Sequence, residues 1–338
     1  MKRSLLLLLF IIVCVVATTF YIQNSKKNVF KENALTVRKL DSTLSINKMV
    51  ELPLSGCYKI QVVDNGIYIL CNQNAIFLEK NNYKPHQSIF KESIGALIQN
   101  NDTTIVFDEK SKQIEYYFTN KTIKRINLEN PDFNVLLSKN EFYYATYGNK
   151  LEDDYVIRAV KKNANLFSVS KLLNKYLSGV DEYCKKYYTE GKLNIINDTV
   201  LIYCPYRTNL LIVFNTLSGK IHLTKTINQS PFINLKRIDV HINNSTVMSS
   251  CQPTDGIEFI NRAISCNEKF IVVVPNFIEA KSNRTINYFD FYDANTFHYL
   301  FTKKIEFTKT DEYIVDIEML ENKLYFITSA NHFYTAEI

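Results

Sequence analysis

Tyr203, Tyr206 and Arg207 form the constellation in this 338-residue chain best suited to recognition chemistry. A guanidinium offers a planar fork of donors, and a tyrosine adds a stackable ring with a polar tip. The three residues lie where the apolar run "VLIYCP" gives way to the run "LLIVF". A strand ending there would deliver them to one rim of the fold, where they would bind a ligand. In the competing reading Arg207 pairs with a loop acid and serves only to fix the turn.

Bond-making chemistry has weaker support. His86, His222, His241, His298 and His332 are scattered, with no pair at metal-ligand spacing, and no CxxC or Cys/His spacing points to zinc. Asp153 and Asp154 adjoin the turn-like "NKLE", and "FDE" at Phe107–Glu109 and "DFYDAN" at Asp290–Asn295 read as strand ends. Glycoside hydrolysis needs two carboxylates ~5–10 Å apart across a cleft. Sequence-remote acids can meet that way in a central channel, so a hydrolase or lyase using channel carboxylates, with or without Ca²⁺, is the alternative reading. No cofactor is expected, since only 8 glycines are present and no glycine fingerprint occurs. The net charge of +6 is spread over pairs such as Lys161-Lys162, Lys185-Lys186 and Lys303-Lys304. Nucleic-acid binding requires a concentrated basic face, and none is found.

Of 7 cysteines, Cys14 lies in an apolar N-terminal run. The others fall into neighbouring pairs along the chain, which predicts Cys57–Cys71, Cys184–Cys204 and Cys251–Cys266 as disulfides. Cys57 and Cys71 flank "YKIQVVDNGIYIL", a hairpin that would set them opposite each other. Other connectivities remain open from sequence, as do buried free thiols.

The elements that must position these residues are strands. Tyr and Phe number 22 each, Trp is absent, and aromatic residues make up 13% of the chain. That composition favours pleated, half-buried surfaces. Strand–turn units recur at "GIYILC", "TTIVFD", "EFYYATY", "TVLIYC", "KFIVVV" and "KLYFIT", each introduced by a polar turn. In each unit a nearly continuous apolar strand is followed by alternating ones. Continuous apolar runs mark strands covered on both faces. Radially packed blades provide such cover, and the expected fold is therefore an all-β, six-bladed β-propeller over residues 46–338. Residues 23–45 form a stalk with a strand that could complete the last blade and close the ring. "NLFSVSKLLNKYLSGVDEYCKKYY", Asn165–Tyr188, has helical spacing and predicts a short helical insertion.

The N-terminus sets the expected compartment. Ser4–Ile22 carries no charge and follows Lys2-Arg3. At ~1.5 Å per residue this run nearly spans a ~30 Å hydrocarbon core. The positive-inside rule leaves the short end in the cytoplasm and exports the rest. Residues 1–22 are read as a signal anchor, or as a signal peptide cleaved near Ala17.

The segment "KLNIINDTVLIYCPYRTNLLIVFNTLSGKIHLTKTI", Lys192–Ile227, resembles exported TolB-like six-bladed propellers of Gram-negative bacteria. Tyr206, Arg207 and Thr226-Ile227 carry the likeness. "INYFDFYDANTFHYLFTKKI" and "NKLYFITSANHFYTAEI" are similar to that family's last two blades. The "SPDG" turns of TolB itself are absent. The resemblance implies a fold and an exported, periplasmic or extracellular location. It implies no particular activity. The expected function is a membrane-tethered, non-catalytic module that binds a protein, peptide or glycan.

Overall fold

In Leu210–Asn215 successive side chains serve different interfaces. Ile212 and Phe214 pack against the preceding sheet, while Leu211 and Val213 pack against the following one. That division follows from the two-residue repeat of a strand covered on both faces, and it recurs around the molecule. The computed structural model describes residues 37–338, except 64, 73, 81, 88–93, 101–102, 119–120, 130, 138–140, 148–153, 229–231, 244–245, 255, 257, 282 and 310. The expected anchor at 1–22, with Cys14, and most of the stalk at 23–45 lie outside the described residues. Among the described residues no helix is long and apolar enough to cross a membrane.

Lys39–Ile338 forms one unit, and its described residues make a six-bladed β-propeller. The inner strands of blades 1 to 6 are Cys57–Val63, Ile94–Asn100, Pro131–Leu137, Gly191–Asn197, Asn261–Cys266 and Ile314–Leu320. Each is followed outward by antiparallel partners. In blade 4 these are Val200–Pro205, Leu210–Asn215 and Ile221–Lys225. Every pair of neighbouring blades encloses its own apolar cluster, including the pair formed by blades 6 and 1. The second strands Gly66–Cys71 and Phe270–Pro275 are buried along their whole length. The outermost strand Lys121–Asn127 is almost entirely exposed.

The ring closes through the N-terminal side of the unit. Ile46–Glu51 pairs antiparallel with His332–Glu337 and supplies the outermost strand of blade 6. It then leads directly into the inner strand of blade 1. Leu40–Thr43 adds to Tyr299–Phe307 in parallel and makes a further strand on blade 5.

Among the described residues, two insertions between blades break the regular count, and Ile278–Lys281 adds a short strand within blade 5. Between blades 3 and 4 the chain forms α1 (Val169–Asn174), α2 (Glu182–Lys185) and a 3₁₀ turn (Lys186–Tyr188). The helical pattern expected from Asn165 starts later, because Ala164–Ser168 completes blade 3 and Ser168 then caps α1. Between blades 4 and 5, Leu235–Asn243 and Thr246–Pro253 form a two-stranded ribbon.

Candidate functional site

Strand direction alternates within each blade. Loops that enter a blade and loops joining its second and third strands therefore share one face of the ring. Both insertions belong to that set, as do the Tyr206–Asn209 turn and the segment before blade 6 that carries Tyr313. The turn Thr216–Lys220 lies on the opposite face, with Gly219 at φ +68° as a tight turn requires.

On the first face a hollow of about 410 Å³ opens above blades 4 to 6, with Tyr206, Phe259, Arg262, Asn276 and Tyr313 among its walls. Its frame is built from backbone bonds. Tyr206 N–H donates to Glu190 O at 2.9 Å, and Tyr206 O accepts from Ile260 N at 2.7 Å and Asn261 N at 3.1 Å. Asn261 is buried at the start of the blade 5 inner strand. Its Nδ2 donates to Pro205 O at 3.2 Å and Thr208 O at 2.9 Å, tying the blade 4 turn to blade 5. The Tyr206 ring meets Phe259 edge-on at 5.8 Å between centroids. The Arg262 guanidinium sits 3.9 Å from the centroid of the Tyr313 ring, and its Nε donates to Asn276 Oδ1. A second hollow of about 450 Å³ adjoins, lined by Arg207, Leu235, Gln252 and Pro253, with Glu258 shared between the two.

The three residues chosen from sequence separate here. Tyr206 lines the hollow. Tyr203 does not reach the rim: it is 0% exposed, packs with Tyr155 between blades 3 and 4, and donates its hydroxyl to Thr189 O. Its position in the second strand points it into the blade interface, where no ligand can touch it. Arg207 is mostly buried. It pairs with Glu190, donates to Tyr187 O at 2.7 Å, and lies 5.1 Å from the Phe259 ring centroid. It thus matches the loop-acid reading and braces the wall from behind. Phe259, Arg262 and Tyr313 escaped sequence reading. The available signal was an arginine opening an inner strand in "FINRAISC", flanked by apolar residues.

The cysteines also divide differently. Cys57 and Cys71 are joined, with Cα atoms 3.8 Å apart. Cys184 of α2 is joined not to Cys204 but to Cys251 of the ribbon, at a Cα separation of 5.7 Å. Cys204 and Cys266 are free and buried, so neither Cys184–Cys204 nor Cys251–Cys266 forms. Strand alternation places Cys204 and Cys266 in the core between blades 4 and 5, whereas the two insertions meet above that core. Burial pushes the Cys204 thiol up to about 12 and raises that of Cys266 well above its ordinary value. Tyr183 of α2 donates to Ser249 O at 2.7 Å, reinforcing the clamp between helix and ribbon.

The channel holds a separate ionic cluster on the inner strands. Lys192 of blade 4 pairs with Asp316 of blade 6, whose second oxygen accepts Ile60 N–H of blade 1 at 3.0 Å. Lys59 of blade 1 donates to Gly95 O at 2.8 Å and Val135 O at 3.3 Å, reaching blades 2 and 3. Burial, aided by the Lys192 charge, lowers Lys59 to about 8, and burial raises Glu318 to about 7. The space among Lys59, Gln61, Lys192, Asn194 and Glu318 is about 50 Å³, enough for a few waters. Among the described residues no group of three or more His, Cys, Asp and Glu side chains is placed to hold a metal ion.

No protein-family profile matches the chain, and no curated protein matches it in sequence. The TolB-like resemblance therefore stands at the level of the six-bladed fold. Solved structures with a similar fold include the β-propeller domain of Cps50 (Swd1) from Myceliophteria thermophila, at 7% identity, covering 87% of this chain and 99% of that one, with a TM-score of 0.46. The Pan2 WD40 domain of Neurospora crassa is 10% identical, covers 89% and 97%, and has a TM-score of 0.48. BamB from Moraxella catarrhalis is 10% identical, covers 88% and 100%, and has a TM-score of 0.42. These are likenesses of fold alone.

Proposed function

We propose that the protein is a non-catalytic binding module that presents its insertion-bearing face to a protein, peptide or glycan. One observation carries this reading. The hollow, the helical insertion and the disulfide-clamped ribbon all gather on the same face, above inner strands that Lys192–Asp316 and Lys59 bridge across the ring. A rigid scaffold with elaborated loops at one end is a common way to build a binding surface. The aromatic and guanidinium lining supplies the residue types that dominate recognition.

The same proposal includes an extracytoplasmic setting, with the chain held at the inner membrane by residues 1–22 or released by cleavage near Ala17. The apolar run behind Lys2-Arg3 supports it. So do the two disulfides, which persist in oxidising compartments.

The hydrolase or lyase reading fits the geometry less well. Asp316 is matched by Lys192, and the space of about 50 Å³ among Lys59, Gln61, Lys192, Asn194 and Glu318 is too small for a sugar ring or a peptide. Screening wild type and Tyr313→Ala against peptide libraries and a glycan array tests the binding reading. Ligands that bind wild type and are lost in Tyr313→Ala are expected. Ligands equally retained by the variant, or none at all, would count against this face.

A further inference from the structure

Among the described residues Arg262 is a cation with no carboxylate in direct contact, the nearest acting charge being that of Glu258 at the rim. Arg262 opens the inner strand of blade 5, largely withdrawn from solvent, and burial lowers its pKa. One face of the guanidinium is covered by Tyr313, and Asn276 takes Nε. Among the described residues Arg262 makes no ion pair, although it lines an open hollow of about 410 Å³. A largely desolvated charge held by neutral partners and a rim carboxylate without a direct ion pair is costly, and an anion entering the hollow to pair with it would lower that cost. The fixed planar fork favours a planar, two-oxygen anion.

The surroundings narrow the anion. Glu258 stands at the rim of the same hollow and its charge acts on Arg262, so a single added negative charge is favoured over a dianion such as a phosphate monoester. Phe259, Ile314 and Val315 supply apolar wall beside the guanidinium. A sugar acid would bring a ring of hydroxyls, yet the Asn276 carbonyl is already engaged by Arg262. We propose that the hollow receives the C-terminal carboxylate of a peptide ending in an apolar residue, with Arg262 holding the carboxylate and the apolar wall holding the last side chain. This inference rests on the binding-module reading. Capture of a chain terminus is a recurrent recognition mode, and the volume falls within the ~300–1,000 Å³ typical of ligand sites.

The test is a randomised octapeptide library screened twice on the intact protein, once with free C-termini and once amidated. The free-acid library should enrich sequences ending in apolar residues. Amidating the recovered peptides should weaken binding by about tenfold or more, the scale of one lost charge-assisted contact. Arg262→Gln should cause a similar loss, and Arg262→Lys should not restore it, because an ammonium lacks the planar fork. Equal binding of acid and amide overturns the inference, as does failure of the free-acid library to enrich or indifference to Arg262→Gln. The acid–amide comparison uses wild type alone, so it stands even if a variant misfolds. Inorganic phosphate and glucuronate are run in parallel, and selective binding of either also overturns it. If amidated peptides or neutral glycans bind and are lost in Tyr313→Ala, the module survives and the carboxylate site falls. If nothing binds wild type in any arm, both fall.

Discussion

Lys192 and Asp316 are 124 residues apart in sequence, and they form an ion pair across the centre of the ring. Their side chains are 14% and 6% exposed, so removing either partner strands the other charge inside the protein. Truncating one member of such a pair costs about 3–5 kcal/mol. Asp316→Ala should lower stability by that amount in urea unfolding, because it also orphans the Ile60 N–H. The double replacement Lys192→Met with Asp316→Leu should recover much of the loss. A double variant no better than Asp316→Ala would mean that the pair is not what joins blades 4 and 6.

The same cluster makes stability depend on pH. Glu318 is raised to about 7 by burial, whereas an unfolded glutamate titrates near ~4.3. Between those values the folded state holds a proton that the unfolded state releases, so this contribution falls as pH rises. Lys59, lowered to about 8 by burial and by Lys192, loses its proton first in the folded state. Its contribution therefore rises from about 8 towards ~10.4. Melting temperatures from pH 5 to 7 should decline less in Glu318→Gln than in wild type. Parallel declines would remove Glu318 from this account.

Phe214 lies in the apolar core between blades 3 and 4 and meets the Phe167 ring in a tilted contact at 5.1 Å between centroids. Phe214→Ala should cost about 3–5 kcal/mol. Arg207→Ala should cost less, about 1–3 kcal/mol, by freeing Tyr187 O and Glu190. Calorimetry separates the two. An Arg207→Ala protein as stable as wild type would return Arg207 to a purely recognitional role.

The Cys184–Cys251 bond joins segments separated by 67 residues. Replacing both cysteines by serine should cost about 2–4 kcal/mol. Hydrogen exchange should then speed up in the ribbon and α2 while the inner strands stay protected. Uniform acceleration around the ring would show that the bond holds the whole fold and not the loop face alone.

The blades were legible in the sequence because a strand covered on both faces must be apolar throughout. Val200–Pro205 and Phe270–Pro275 show this directly. The need for a closing strand was legible because the last unit lacked a fourth strand, but its place was not: Ile46–Glu51 closes blade 6, just past the expected 23–45, and Leu40–Thr43 within that range joins blade 5 instead. The site was only partly legible. Tyr206 and Tyr203 look alike in sequence, yet one lies at a turn and is half-buried, while the other lies inside a strand and is fully buried. Cys184 and Cys251 are distant along the chain and meet only because two insertions rise on one face. The Arg262–Tyr313 pair joins two blades, so no local pattern could announce it.

The most direct test of the binding face is site-specific photo-crosslinking with the full chain in its native host. A photoreactive residue replaces Tyr206 on the insertion-bearing face in one protein. In the other it replaces Leu217, which is 77% exposed on the opposite face. A binding face at the insertions gives discrete adducts from position 206 that diminish when Tyr313→Ala is added, and none above background from position 217. Adducts that arise equally from both positions, or from 217 alone, would contradict it.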